Sequence, residues 1–71
     1  MNASLKNELR VLRAQRGWSQ AELGDRIGVS RQAINAVETG KFDPSLPLAM
    51  RLAKLFGRRV EEIFTLDESE R

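Results

Sequence analysis

The chain has 71 residues, enough for one domain with a single small hydrophobic core. It contains no cysteine and no histidine, which excludes disulfide bonds, zinc sites built from these side chains, and Ser-His-Asp or Cys-His catalysis. The net charge of +2 is uneven: residues 1–59 carry eleven Lys or Arg against five Asp or Glu, and residues 60–71 carry one against five. A basic body suits a polyanion such as nucleic acid, although mixed surface charge is also ordinary for a small soluble domain.

The sequence gives no indication of a membrane or a secreted location. No run approaches the ~20 apolar residues of a membrane span, and no apolar segment marks a signal peptide. The absence of cysteine fits the cytosol. The adjacent acids Glu61 and Glu62 do not converge on one point, so they do not form a catalytic pair. We therefore predict a cytoplasmic protein that is not an enzyme, needs no metal or cofactor, and has no membrane partner.

Apolar residues recur at helical spacing from the start of the chain. Leu5, Leu9 and Leu12 predict one face of a first helix, which ends at Gly17. Trp18 precedes the next helix, where an apolar residue packs as a hydrophobic staple, so we expect a core role for it.

Serine caps and glycine stops delimit the next two helices. Ser19-Gln20-Ala21-Glu22 has the spacing of a capping box, so a second helix begins there and ends at Gly28. Ser30 caps a third helix, which ends before Gly40. The link between them is so short that the two helices must cross steeply, as in a helix-turn-helix. The inward positions of this unit are apolar throughout: Leu23, Ile27, Val29, Ile34 and Val37.

Two further helices complete the predicted fold. Ser45 caps a fourth helix that ends at Gly57, and residues 60–64 form a short fifth helix with a loose start, because Arg59 is a poor cap. Phe42 and Met50 are interpreted as core residues. No strand pattern is present, so we predict a compact all-α domain of five helices over residues 1–66, followed by an acidic, frayed tail at residues 67–71.

These segments together resemble a known family. Ser19 to Gly40, with Lys41, Pro44-Ser45 and Val60 to Phe64 following, resembles the Xre family of phage-repressor-like, Cro-type helix-turn-helix DNA-binding proteins. The stretch RQAINAVETGKFDPSLPLA is similar to the short stand-alone transcriptional regulators of that family. The resemblance covers roughly residues 5–66. It implies a lambda-repressor-like domain, usually a dimer, with the third helix in the major groove of double-stranded DNA.

The chain departs from the family pattern at two positions. The family usually has alanine at the position of Gly24 and a serine-like cap at the position of Arg59. Glycine inside a helix costs about 0.5–1 kcal/mol relative to alanine. From the sequence alone, Gly24→Ala is therefore expected to stabilise the fold.

The helical period places a set of polar residues on the outer face of the third helix. With Ile34 and Val37 inward, the outer side chains carry the groups that pair with base edges, arginine for guanine and glutamine or asparagine for adenine, while alanine suits a thymine methyl. An ordinary solvated polar face is the alternative. The predicted base-reading residues are Arg31, Gln32, Asn35, Ala36 and Thr39.

A second set is predicted to contact phosphates. Gln20 lies at the start of the second helix, where free backbone amides attract an anion, and the matching glutamine of the family binds the DNA backbone. Lys41 lies just beyond the third helix. The predicted phosphate-contacting residues are Gln20, Lys41, Ser19 and Arg10.

Two structural assignments complete the predictions. Arg13 and Glu38 flank the apolar faces of the first and third helices, and the resemblance implies that they form an ion pair holding these helices together. The remaining apolar residues exceed what one small core needs. They are predicted to form a dimer interface, although a wide buried stripe explains them equally simply: Leu48, Leu55, Phe64 and Leu66.

The sequence thus predicts a sequence-specific double-stranded DNA-binding transcriptional regulator, a homodimeric repressor that reads the major groove with the helix at residues 30–39. Two-fold symmetry would place half-sites about 10 base pairs apart. Regulation would proceed by occlusion or recruitment at a promoter, because the chain has no room for an effector domain. The alternative is an antitoxin-like protein-interaction module whose DNA binding is secondary, which a co-purifying partner protein would reveal. No small-molecule effector is indicated.

Overall fold

The structure, a computed structural model, describes residues 4–67 and contains five helices and a two-stranded antiparallel sheet within that range. In chain order the elements are β1 (Ser4–Asn7), α1 (Leu9–Gln15), α2 (Gln20–Ile27), α3 (Arg31–Glu38), α4 (Leu46–Phe56), α5 (Val60–Ile63) and β2 (Phe64–Asp67). The predicted five-helix helix-turn-helix domain is confirmed. None of the helices in the described range has the length and apolar character that crossing a bilayer requires.

The small sheet corrects the prediction that the chain has no strand and that Leu5 belongs to the first helix. β1 pairs with β2 in antiparallel register, with Leu5 opposite Leu66. The helix begins only at Leu9, whose backbone N–H donates to the Asn7 side-chain oxygen at 3.1 Å. Leu5 is half-buried and packs against the core from the strand. An apolar residue four positions before Leu9 therefore fits either element, and the partner strand near the other end of the chain decides between them.

The last strand includes the first residue of the predicted acidic tail. β2 includes Asp67, and a carboxylate oxygen of Asp67 lies 3.3 Å from Nζ of Lys6 on β1. The remainder of the predicted acidic tail, residues 68–71, lies outside the described residues.

The helix starts follow the predicted capping pattern. Ser19, Ser30 and Ser45 each accept a hydrogen bond from the backbone N–H three residues later, at 3.0, 3.0 and 3.2 Å. The start of α5 is anchored differently, because the arginine side chain carries only donors. There the backbone N–H of Arg59 donates to the carboxylate of Glu62 at 2.8 Å, so the loose start that the sequence suggested is not observed.

One hydrophobic core joins all the helices and β2. Its buried apolar residues are Leu9, Leu12, Leu23, Ile27, Ile34, Val37, Ala49, Leu52, Ala53, Phe56, Ile63 and Phe64. Phe42 and Met50, interpreted from the sequence as core residues, are instead 67% and 56% exposed. Met50 is one residue past a buried alanine, so the ~100° step of the helix turns it outward, and Phe42 lies in the loop before α4.

The turn between α2 and α3 depends on two glycines. Gly28 has φ +78°, the left-handed conformation that ends α2, and the backbone N–H of Val29 donates to the Gly24 carbonyl at 2.9 Å. Gly24 is buried where this turn folds back on the helix. A Cβ atom at Gly24 would lie 2.5 Å from the carbonyl oxygen of Val29, which is backbone and cannot rotate away.

Gly24→Ala is therefore expected to destabilise the protein, the reverse of the expectation from sequence. Relieving this overlap requires the turn to move, which costs about 1–3 kcal/mol and exceeds the ~0.5–1 kcal/mol that alanine gains in a helix. Thermal unfolding of the variant and the parent measures the effect. Ala21→Gly, at an exposed position of the same helix, is the control for helix propensity alone. A higher melting temperature for Gly24→Ala would show that the turn adapts at little cost.

Candidate nucleic-acid interface

A groove runs along the outer side of α3 and reaches the start of α2. It is lined by Gln20, Arg31, Gln32, Asn35, Ala36 and Lys41. A second depression adjoins it on the side of α1. This one is lined by Arg10, Arg13, Gln20, Asn35, Glu38 and Thr39. The two depressions share Gln20 and Asn35, so they form one continuous surface, which we call the α3 surface.

The α3 surface brings together most of the residues predicted from sequence. All five predicted base-reading residues line it, and so do three of the four predicted phosphate-contacting residues. The exception is Ser19. Its hydroxyl oxygen accepts from the Glu22 backbone N–H at 3.0 Å, and its own backbone N–H donates to the Glu22 carboxylate at 2.8 Å. Both groups therefore serve the cap of α2.

The outer side of α3 carries unused hydrogen-bonding groups. Ile34 is fully buried and Val37 is 5% exposed, so the opposite side of this helix faces solvent. Arg31, Gln32 and Asn35 are exposed, and within residues 4–67 their side chains have no hydrogen-bond or ion-pair partner. These groups are free to bind a ligand placed along the groove.

The other two predicted base-reading residues, Ala36 and Thr39, have less hydrogen-bonding capacity for a ligand. Ala36 is half-buried and presents only a methyl group. The Thr39 hydroxyl donates to the Asn35 carbonyl at 2.9 Å, which commits its proton to the end of the helix. Thr39 can therefore only accept hydrogen bonds from a ligand.

The end of α3 is fixed by contacts from outside the helix. Nδ2 of Asn7 donates to the Val37 carbonyl at 2.9 Å, which ties the start of α1 to the end of α3. After Gly40, with φ +82°, the Lys41 backbone N–H donates to the Ala36 carbonyl at 2.9 Å. This closure places the exposed Lys41 at the edge of the groove. Sequence reasoning missed Asn7, although asparagine just before a helix is a common cap.

An ion pair joins α1 to α3. Nε of Arg13 donates to Glu38 at 2.8 Å, and Nη2 donates to the other carboxylate oxygen at 3.1 Å. The Glu38 side chain is 4% exposed and that of Arg13 is 15% exposed. The remaining nitrogen, Nη1, donates to the Trp18 carbonyl at 2.9 Å, just before α2. Hydrogen bonding to Glu38 raises the pKa of Arg13 above its ordinary value, against the opposing effect of burial.

Gln20 is tethered rather than free. Its Nε2 donates to Oε1 of Glu38 at 3.1 Å, across 18 residues of sequence. Glu38 thus accepts hydrogen bonds from Arg13 on α1 and from Gln20 on α2 while lying on α3. Sequence spacing could not reveal this contact, because it joins two different helices.

Trp18 has the core role expected from its position. Its ring centroid lies 5.7 Å from that of Phe56, and it packs against the hydrophobic core. Two guanidinium groups lie against the same indole, with Cζ of Arg26 at 4.1 Å and Cζ of Arg16 at 5.3 Å from its centroid. These cation–π contacts occupy the ring. Trp18 is not among the residues that line the α3 surface.

The residues predicted at a dimer interface divide into three groups. Phe64 is only 7% exposed and packs in the core of the single chain, so its side chain is not available to contact a second copy. Leu48 and Leu55 are half-buried against the same core. Leu66 is 60% exposed on β2. Phe64 and Leu66 are two positions apart on β2 and so lie on the same face of the strand, but the core covers only the Phe64 end, next to α5.

The turn between α2 and α3, and the hydrogen-bonding face of α3, define a helix-turn-helix of the DNA-binding class. The sequence profile of the helix-turn-helix family HTH_3 matches residues 9–63. The chain belongs to this family, the Xre type that its sequence resembles. The uncharacterized HTH-type transcriptional regulator MJ0272 of Methanocaldococcus jannaschii is 47% identical over 66 residues, which cover 93% of this chain and 100% of that protein.

Two further comparisons agree with this membership. The competence pilus inhibition repressor of Acinetobacter baylyi is 36% identical over 61 residues, which cover 86% of this chain and 56% of that protein. The crystal structure of a hypothetical transcription factor, NHTF, from Neisseria matches with a TM-score of 0.70 and 29% identity, over 78% of this chain and 63% of that chain. All three of these proteins carry names of transcriptional regulators.

Proposed function

We propose that this protein is a cytoplasmic, homodimeric repressor that binds specific sites in double-stranded DNA and reads the major groove with α3. The observation that carries the proposal is the outer face of α3, where Arg31, Gln32 and Asn35 are exposed and have no partner among the described residues. The position of these three side chains in a groove edged by Lys41 favours a ligand-binding face over an ordinary solvated one. The width of the major groove admits a helix presented in this way.

The roles of the side chains follow from their chemistry. Arg31 and Gln32 lie at the start of α3, where recognition helices of this class contact base edges. Their planar groups form paired hydrogen bonds with guanine and adenine. Lys41 carries a single flexible charge beyond the end of α3, which suits a phosphate and carries no sequence information. Arg10 flanks the same surface from α1.

Repression by a homodimer is supported by two observations. The Acinetobacter baylyi relative is named a repressor, and its similarity to this chain extends over most of the chain. Exposed apolar groups, including Leu66 at 60% exposure, are available to pair with a second copy. Two copies on adjacent turns of DNA would contact half-sites about 10 base pairs apart and occlude a promoter.

Gln32→Ala and Lys41→Ala are both expected to weaken DNA binding, the first in a way that depends on the DNA sequence and the second in a way that does not. Selection from a random pool of duplexes first supplies a binding site, and affinities are then measured on that site and on random duplexes over one salt series. Gln32→Ala should cost about 1–3 kcal/mol on the selected site and relax the preference at one base pair. Lys41→Ala should weaken binding to every duplex alike and reduce the slope of log K against log salt by about one unit.

The matched control is Lys54→Ala, which removes the same charge from an exposed position on α4 outside the α3 surface. It should leave the base preference unchanged and reduce affinity less than Lys41→Ala. Equal weakening of all duplexes by Gln32→Ala would show that α3 does not read bases in this orientation. If the parent protein selects no duplex and instead retains a partner protein on purification, the interaction-module alternative replaces the proposal.

A further inference from the structure

We infer that Glu38 is a positioning residue for DNA binding, which holds the Gln20 side chain ready to donate a hydrogen bond to a phosphate. This inference rests on the proposed function of the α3 surface. Its physical basis is the hydrogen bond from Nε2 of Gln20 to Oε1 of Glu38, at 3.1 Å.

The chemistry of the pair fixes which way the amide faces. An ionised carboxylate only accepts hydrogen bonds, whereas a carboxamide has a donor end and an acceptor end. The nitrogen of Gln20 must therefore face Glu38, because the reversed amide would oppose two acceptors. An amide nitrogen carries two hydrogens, and Glu38 takes one of them. The second N–H of Gln20 remains for a phosphate at the groove that this residue lines.

Arg13 makes this arrangement compatible with a nearby phosphate. A lone carboxylate at the α3 surface would repel the DNA backbone. Arg13 donates two hydrogen bonds to Glu38, so the pair carries no net charge. Arg13 also donates to the Trp18 carbonyl, two residues before Gln20. The backbone before α2 and the side chain at its start are thus held by one buried pair.

The expected benefit is a smaller entropic cost of binding. A free glutamine side chain loses rotamer freedom when it docks on a phosphate, and a tethered one has already lost most of it. Loss of the tether should therefore weaken DNA binding about 3- to 10-fold, the usual size of one immobilised side chain. The weakening should be equal on all duplexes, since phosphates carry no sequence information.

The test uses three variants of the full chain: Gln20→Ala, the pair variant Arg13→Met/Glu38→Leu, and their combination. The pair variant removes one positive and one negative charge, so the net charge is unchanged. It also leaves no unpaired buried charge, and its fold is checked by melting temperature. Dissociation constants are measured on the selected site and on random duplexes at one salt concentration.

Gln20→Ala and the pair variant should each weaken binding about 3- to 10-fold, and the combination should be little weaker than either alone. Such non-additivity means that both changes remove one interaction. If the two losses multiply in the combination, Glu38 has only a structural role and the inference is wrong. If Gln20→Ala binds like the parent while Lys41→Ala does not, this inference fails but the proposed function stands. A parent protein that binds no duplex overturns both.

A second measurement needs neither a variant nor DNA. In the NMR spectrum of the parent protein, one of the two side-chain amide protons of Gln20 should exchange with water more slowly than the other, because Glu38 protects it. Gln15, which is exposed at the end of α1, supplies the comparison within the same spectrum. Equal and fast exchange of both Gln20 protons would overturn the tether even if the pair variant failed to fold.

Discussion

Glu38→Leu should lower the free energy of unfolding by about 3–5 kcal/mol, because it leaves the charge of Arg13 with no counter-ion in a site that excludes most water. The Glu38 side chain is 4% exposed and accepts hydrogen bonds from both Arg13 and Gln20. Domains of this size have little stability beyond about 5 kcal/mol, so the variant should retain no more than about 2 kcal/mol. Urea unfolding followed by circular dichroism measures the difference.

The double substitution Arg13→Met/Glu38→Leu separates the cost of an orphaned charge from the value of the pair. Replacing both partners of a buried ion pair with apolar residues is often neutral or stabilising. We therefore expect the double variant to have a free energy of unfolding close to that of the parent and well above that of Glu38→Leu. A single variant as stable as the parent would mean that solvent reaches Arg13 and screens it. A double variant as unstable as the single one would mean that the pair itself contributes the stability.

The helices and their order were predictable because their signals are local. A serine followed three residues later by its hydrogen-bond donor, or a glycine at a left-handed turn, depends only on neighbouring residues. Ser19 and Gly28 delimit α2 by such signals. The apolar spacing of α3 likewise placed Ile34 inside and Gln32 outside without knowledge of any other element.

The sheet was not predictable in the same way. β1 and β2 have four residues each, too few for alternation to be recognised, and each exists only because the other pairs with it. The spacing of Leu5 and Leu9 also fits a helix, so the local pattern favoured the wrong element. A contact between the two ends of a chain leaves no trace in the spacing within either end.

In the candidate site, too, the features set by local sequence were predictable and the long-range contacts were not. Its membership followed from the helical period and the short turn, which together place Gln32 and Asn35 on one face. Its internal connections did not follow, because Asn7 reaches Val37 and Gln20 reaches Glu38 across 30 and 18 residues. The clash expected at Gly24 arises from the carbonyl position in the folded turn, which helix propensity does not describe.

Phe64→Ala should lower the free energy of unfolding by about 3–5 kcal/mol, because it removes a large side chain from the core and leaves a cavity. Phe64 is 7% exposed, and its neighbour on the same strand, Leu66, is 60% exposed. Leu66→Ala should therefore change the stability of the monomer by no more than about 0.5 kcal/mol. Urea unfolding at low protein concentration, where a dimer is dissociated, gives both values.

The same two variants test where a second copy binds. If β2 contributes to a dimer, Leu66→Ala should weaken self-association in sedimentation experiments while the monomer remains fully folded. Phe64 is buried in the core of the single chain, so folded Phe64→Ala protein can affect association only by loosening β2. Unchanged association in Leu66→Ala would move the interface to the exposed apolar residues of α4, Leu46 and Met50, at 69% and 56% exposure.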